Sequence, residues 1–145
     1  MFCTIVLTAC VSTSTEKTVD FSYTICADSG INPDINGDAS SIVVQVFQLA
    51  NSGNYEAALY EELFNGDVSV LGSELLAVSR HLIDPGTSQT FNTEISANTK
   101  FIGVAAGYRE IDLVTWKVIE PVAEESLLDS VNVFRDRGMT ISVTP

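Results

Sequence analysis

The side chains best suited to nucleophilic chemistry are three cysteines, Cys3, Cys10 and Cys26, and the single histidine, His81. A nucleophile needs a base beside it, and the sequence contains no Gly-x-Ser-x-Gly, His-Glu-x-x-His or glycine-rich phosphate motif. We expect His81 to be an exposed or hydrogen-bonded strand residue and Cys26 to be an inert, half-buried thiol. The sequence therefore predicts neither an enzyme nor a small-molecule substrate.

Three oxygen-bearing side chains alternate in Asp34-x-Asn36-x-Asp38, as at the start of a calcium loop. The rest of such a loop does not follow, because Ala39 stands where it needs glycine and Gln45 where it needs a bidentate glutamate. The cysteines and the histidine also lack zinc-ligand spacing. We therefore expect no metal and no cofactor.

Cys10 has a different chemistry because of the residues before it. Leu7-Thr8-Ala9-Cys10 ends a short apolar run and resembles the Leu-x-small-Cys pattern of bacterial lipoprotein signals. The resemblance implies that residues 1–9 are a signal-peptide remnant and that Cys10 carries diacylglycerol as the first mature residue. No Lys or Arg precedes Cys10, so we expect a true translation start that differs from Met1.

Residues 10–18 have the small, polar composition of a flexible tether. The alternative is that Met1–Ala9 forms a buried first strand with Cys10 inside it. No apolar stretch approaches the roughly 20 residues of a transmembrane helix, so we expect membrane contact through lipid alone. Ser12 stands where aspartate commonly signals inner-membrane retention, which favours the outer membrane.

The charge balance of 7 Lys and Arg against 19 Asp and Glu gives a formal net charge of −12. Such a charge opposes binding to a phosphate backbone. We therefore exclude nucleic acid as a partner.

Residues 19–145 have the pattern of one mainly β domain. Phe21, Tyr23 and Ile25 alternate with polar residues in a first strand from Val19, and Ser41–Leu49 is a nearly continuous apolar strand covered on both faces. Further strands are predicted at Leu75–Ile83, Gln89–Ile95, Phe101–Glu110, Val114–Val122 and Asn132–Val143. Short strands with a single helix favour a two-sheet antiparallel β-sandwich.

The one short helix is predicted at Tyr55–Phe64, capped by Asn54 and followed by Gly66. Gly103 and Gly107 share a strand face, which predicts close packing of another element. Residues 28–40, between the first two strands, are rich in turn formers and long for a hairpin connection. Such loops often carry binding sites, and we expect this one to contribute little to stability.

Several segments, in this order, resemble the type VI secretion lipoproteins of the TssJ/VasD family. They are Leu7–Cys10, Ile31–Asp34, Ser41–Leu49, Ala58–Tyr60, Val70–Gly72, Asp84–Gly86, Phe101–Arg109 and Trp116. The resemblance implies a transthyretin-like two-sheet sandwich, an outer-membrane anchor and a place in the membrane core complex of the secretion system.

The resemblance also implies that the loop between the first two strands binds the periplasmic C-terminal domain of the inner-membrane protein TssM. In this chain that loop is residues 28–40, and the expected contact residues are Gly30, Ile31, Asn32, Pro33, Asp34, Ile35 and Asn36. Two other classes stay open: a periplasmic lipoprotein that binds a small ligand or glycan, and a lipoprotein inhibitor of an envelope enzyme. The first requires a concave pocket lined by aromatic residues.

Overall fold

A computed structural model describes residues 16–122, 131–136 and 139–144. Within them the predicted two-sheet antiparallel sandwich is confirmed, with strand orders β4-β1-β8-β7 and β3-β2-β5-β6. The strands are β1 (Thr18–Ala27), β2 (Ile42–Leu49), β3 (Leu75–Ile83), β4 (Ser88–Ser96), β5 (Phe101–Ala106), β6 (Lys117–Pro121), β7 (Val131–Asp136) and β8 (Met139–Thr144). The predicted signal remnant, Cys10 and most of the tether lie outside the described residues.

The main core lies between the two sheets and follows from the period of two in β1. Phe21, Tyr23 and Ile25 are each at most 5% exposed, because alternate side chains of a strand point to the same face. They pack with buried apolar residues of the facing sheet, including Ile42, Val44, Val46, Ile102 and Val104. This burial holds the two sheets together.

A second core covers the outer face of β2 and β5. Phe47 and Leu49, which point away from the main core, are fully buried against Tyr55, Leu63 and Leu71. The prediction that β2 is covered on both faces is therefore confirmed. The close packing expected at Gly103 is confirmed too, because a Cβ atom there would lie 2.7 Å from Cζ of Tyr55.

The predicted single helix is wrong: the segment forms two short helices, α1 (Gly53–Ala57) and α2 (Tyr60–Phe64). The helix breaks at Ala58, whose ψ of 138° is extended. Asn54 lies inside α1 and does not cap it. Leu59 is 63% exposed, whereas Ala58 is buried.

The ammonium group of Lys117 binds the carbonyl groups at this break. Its Nζ donates to the backbone carbonyl oxygens of Tyr55, Glu56 and Ala58 at 2.9, 2.8 and 2.7 Å. Carbonyl groups at a helix end have no intrahelical donor, and a cation is favourable there. Nζ also lies 5.1 Å from the Trp116 ring centroid, and its hydrogen bonds fix the end of α1 to β6.

Two predicted strand boundaries are wrong as well, and one predicted strand is in fact two. The strand predicted to reach Glu110 ends at Ala106, and the one predicted from Val114 begins at Lys117. Beyond Ala106 the N–H of Gly107 donates to the carbonyl of Val43 at 2.7 Å, and the chain then leaves the sheet. The single strand predicted at Asn132–Val143 is two paired strands, β7 and β8.

No helix in the described part of the chain is long and apolar enough to cross a membrane.

Replacing Lys117 with methionine keeps the aliphatic stem but removes the donor to three carbonyl oxygens. We expect Lys117→Met to lower the free energy of unfolding by roughly 1–2 kcal/mol, because hydrogen bonds to a charged group contribute roughly 1.5–3 kcal/mol and these bonds are part-buried or exposed. Urea denaturation followed by tryptophan fluorescence measures this change.

Lys100→Met is the matched control, because Lys100 is exposed and its loss changes the net charge by the same amount. An equal loss of stability in both variants would show that net charge, and not the carbonyl contacts, matters.

Candidate functional site

Three connecting segments meet at one end of the sandwich. They are the β1–β2 loop (residues 28–41), the β3–β4 turn (residues 84–87) and the segment of residues 107–114 that follows β5. The N–H of Gly86 donates to the carbonyl of Asp28 at 3.1 Å, and the Ser41 hydroxyl donates to the Asp84 carboxylate at 2.5 Å. The two sheets thus share one polar surface, which we call the loop end.

The base of the β1–β2 loop belongs to the core. Ile31 is 1% exposed and packs in the main core, and its carbonyl accepts the N–H of Ser40 at 3.2 Å. The expectation that the whole loop contributes little to stability is therefore wrong for its base, because fully burying one isoleucine stabilises a fold by roughly 1.5–3 kcal/mol.

Asn32 connects the loop to the neighbouring segments. Its side chain is 6% exposed; Oδ1 accepts the N–H of Arg109 at 2.9 Å and Nδ2 donates to the Ser41 carbonyl at 3.2 Å. Its φ of +48° lies in the left-handed region, which asparagine tolerates better than most residues. The hydroxyl of Ser40 also donates to the Asn32 carbonyl, so the position is held from several sides.

The tip of the loop is a compact turn closed by Asp34. Oδ1 of Asp34 accepts the N–H groups of Asn36 at 2.8 Å and Asp38 at 3.0 Å. These backbone hydrogen bonds, from Asp38 and then Asn36, hold the pKa of the Asp34 carboxyl below its usual range. The N–H of Asp34 donates in turn to the Asp38 carbonyl at 2.8 Å. The tip is therefore ordered by its own side chain.

Ile35 stands at the outer edge of this turn and is 100% exposed. It is an apolar side chain held out on a hydrogen-bonded turn, and Pro33 beside it is exposed too. Neither side chain packs against the core, so both are exposed to solvent at the tip of the loop.

A cleft of about 380 Å³ opens beside the loop. It is lined by Asp28, Gly30, Asn32, Pro33, Tyr108, Glu110 and Val114. Tyr108 is the single aromatic residue among them, whereas a glycan or small-ligand pocket usually presents several aromatic and apolar side chains.

The structure divides the seven expected contact residues into two groups. Ile31 and Asn32 are buried at the base of the loop. Gly30, Pro33, Ile35 and Asn36 are exposed, and Asp34 is half-buried at the turn. The second group is therefore open to solvent, and of the first group Asn32 also lines the cleft.

The sequence did not identify the cleft residues that lie outside the β1–β2 loop. Tyr108, Glu110 and Val114 come from a segment predicted to be two strands, and they lie about 80 residues from the loop in sequence. The only local signal is Gly107, where a Cβ atom would lie 3.2 Å from Cε1 of Phe64 and 3.3 Å from the Val43 carbonyl. That crowding marks the point where the chain turns out of the sheet.

The two candidate nucleophiles in the described residues, His81 and Cys26, each contact another strand. His81 lies between the sheets, 2.6 Å from the Tyr23 hydroxyl and 3.8 Å between ring centroids from Phe91; burial lowers the pKa of its imidazole. The prediction of a hydrogen-bonded strand histidine is confirmed. Cys26 is half-buried, as predicted, with Sγ 3.2 Å from the Ser88 hydroxyl.

Several solved structures resemble this chain. A chain of the "Type VI membrane complex" is 31% identical over 76% of this chain and 85% of that one, with a TM-score of 0.65. Lip from Serratia marcescens, described as a membrane-bound component of the type VI secretion system, is 27% identical over 73% of this chain and 78% of that one, with a TM-score of 0.66.

A third similar chain occurs in the structure of the type VI secretion protein TssM C-terminal domain (869-1107) from EAEC. It is 26% identical over 72% of this chain and 85% of that one, with a TM-score of 0.61. No curated protein matches the sequence. The family model of the type VI secretion lipoproteins VasD, EvfM and TssJ matches residues 19–145, and the chain therefore belongs to this lipoprotein family.

Proposed function

We propose that this lipoprotein is anchored to the periplasmic face of the outer membrane by lipid on Cys10 and binds the periplasmic C-terminal domain of a TssM-type inner-membrane protein. The β1–β2 loop makes the contact, and no catalysis is involved. The domain would then link the outer membrane to the inner-membrane part of the secretion system.

The observation that carries the proposal is the full exposure of Ile35 on an ordered turn. Binding energy in an interface is concentrated in a few buried side chains. A residue whose backbone is already held in a turn loses less conformational entropy on binding than one on a disordered loop. The turn closed by Asp34 gives Ile35 such a backbone.

The comparisons support the choice of partner. Similar chains occur in a type VI membrane complex and in a structure of a TssM C-terminal domain. The loop of residues 28–41 also lies within the residues that match the family model. The two observations favour a protein partner over the ligand-binding and enzyme-inhibitor alternatives.

The anchor rests on the lipoprotein motif that ends at Cys10 and on the family. β1 starts at Thr18, and a stretch of eight residues reaches up to roughly 25–30 Å at 3.3–3.6 Å per residue. Several acyl chains on one cysteine would hold the protein stably, whereas a single chain binds only marginally.

Ile35→Ser should weaken binding to the periplasmic domain of the TssM-type protein by tenfold or more. Burial of an isoleucine contributes roughly 1.5–3 kcal/mol, and about 1.4 kcal/mol corresponds to one factor of ten in affinity. Isothermal titration calorimetry measures the affinity, and a thermal melt should be unchanged because Ile35 touches no core residue.

Leu59→Ser is the control. Leu59 is also an exposed aliphatic residue, at 63%, but lies at the start of α2, so this variant should bind like the wild type. Wild-type affinity in Ile35→Ser would place the interface away from the loop.

Cys10→Ser should move the folded protein from the membrane pellet to the soluble fraction, because only acylation attaches it. Fractionation with metabolic labelling by a fatty acid measures both effects. Cys26→Ser removes a thiol from β1 and should leave the protein labelled and in the pellet. Retention of Cys10→Ser in the pellet at the wild-type level would contradict the lipid anchor.

A further inference from the structure

Acidic groups dominate the loop end. Its three segments, residues 28–41, 84–87 and 107–114, contain one basic residue, Arg109, against six acidic ones: Asp28, Asp34, Asp38, Asp84, Glu110 and Asp112. The guanidinium of Arg109 is partly engaged, because its Nε donates to the Ser40 hydroxyl at 3.2 Å. The potential at this end is therefore negative, and it repels anionic partners.

The acidic side chains are not equivalent. The Asp34 carboxylate accepts backbone N–H groups, and the Asp84 carboxylate accepts the Ser41 hydroxyl. Asp28 and Glu110 are exposed and line the cleft. Neither carboxylate has a hydrogen-bond or ion-pair partner among residues 16–122, so both can accept hydrogen bonds from a partner.

The cleft between these two carboxylates has apolar parts in its wall. Pro33 on the loop and Val114 on the segment after β5 lie on its lining together with Tyr108. An apolar wall with carboxylates beside it suits a side chain that has an aliphatic stem and a cationic head. Lysine and arginine have this form, and they bury their stems along apolar surface while the head remains in a polar environment.

We propose that the cleft receives a lysine or arginine side chain of the partner, with Asp28 and Glu110 accepting hydrogen bonds from its cationic group. This inference rests on the proposed function and names the chemistry of the partner's surface: a basic residue beside an apolar pocket that takes Ile35. The loop tip supplies apolar contact, and the cleft supplies charge and orientation.

The loop tip would mainly contribute affinity, and the cleft would contribute orientation and dependence on salt. Charge-assisted hydrogen bonds are stronger than neutral ones and fix the geometry of the partner group. Complementary charge also speeds the encounter and makes the complex sensitive to salt. The screening length is about 8–10 Å at 0.10–0.15 M salt, so only carboxylates close to the contact contribute strongly.

The test is the double variant Asp28→Asn/Glu110→Gln in the mature lipoprotein, titrated with the periplasmic C-terminal domain of the TssM-type protein. Both changes keep the side-chain shape and remove only charge. We expect affinity to fall by about fivefold or more at about 0.1 M NaCl, and its decrease with rising salt to become shallower than in the wild type.

Asp20→Asn/Glu120→Gln is the control. Both are exposed strand residues. Asp20 pairs with Glu94, and Glu120 pairs with Ile102, toward the end of the sandwich opposite the loop end. The control makes the same change in net charge and should keep the wild-type affinity and salt dependence. An equal loss in both double variants would mean that net charge alone acts, and would overturn the cleft.

The Ile35→Ser variant separates this inference from the proposed function. If Ile35→Ser weakens binding and Asp28→Asn/Glu110→Gln does not, the loop binds the partner but no basic side chain enters the cleft. If neither variant changes the affinity, the loop is not the interface and both proposals fail.

Discussion

The buried amide of Asn32 is the contact on which the geometry of the loop end depends. One small side chain accepts the N–H of Arg109 and donates to the carbonyl of Ser41, so it joins the β1–β2 loop to the segment after β5. A buried amide that lost one of these partners would leave a polar group unsatisfied, which costs roughly 1–3 kcal/mol. Asn32 therefore fixes the position of the β1–β2 loop relative to residues 107–114, and with it the shape of the cleft between them.

The second support of the cleft comes from the helices. The hydroxyl of Tyr60 on α2 donates to the carbonyl of Tyr108 at 3.3 Å, and Phe64 lies against Gly107. The end of the preceding helix, α1, is held to β6 by the ammonium of Lys117. The wall of the cleft is thus positioned from the outer face of the sandwich as well as from the loop.

The β1–β2 loop has a buried base followed by an exposed tip. Ile31 and Asn32 are buried, and the next residues form a turn that carries Ile35 into solvent. An interface needs side chains that are exposed before binding and ordered enough to lose little entropy on binding. The buried base and the turn closed by Asp34 supply that order.

By itself the sequence determined the features that depend on short-range pattern. The period of two placed Phe21, Tyr23 and Ile25 on the buried face of β1, the apolar run of β2 showed a strand covered on both faces, and ordered motifs identified the family. Only the tertiary structure decided which loop residues are buried and where the helix breaks. Lys117 lies about 60 residues from the carbonyl groups it binds, and Arg109 lies 77 residues from Asn32. No local pattern records such contacts, because they arise only when packing of the two sheets brings distant segments within hydrogen-bond distance.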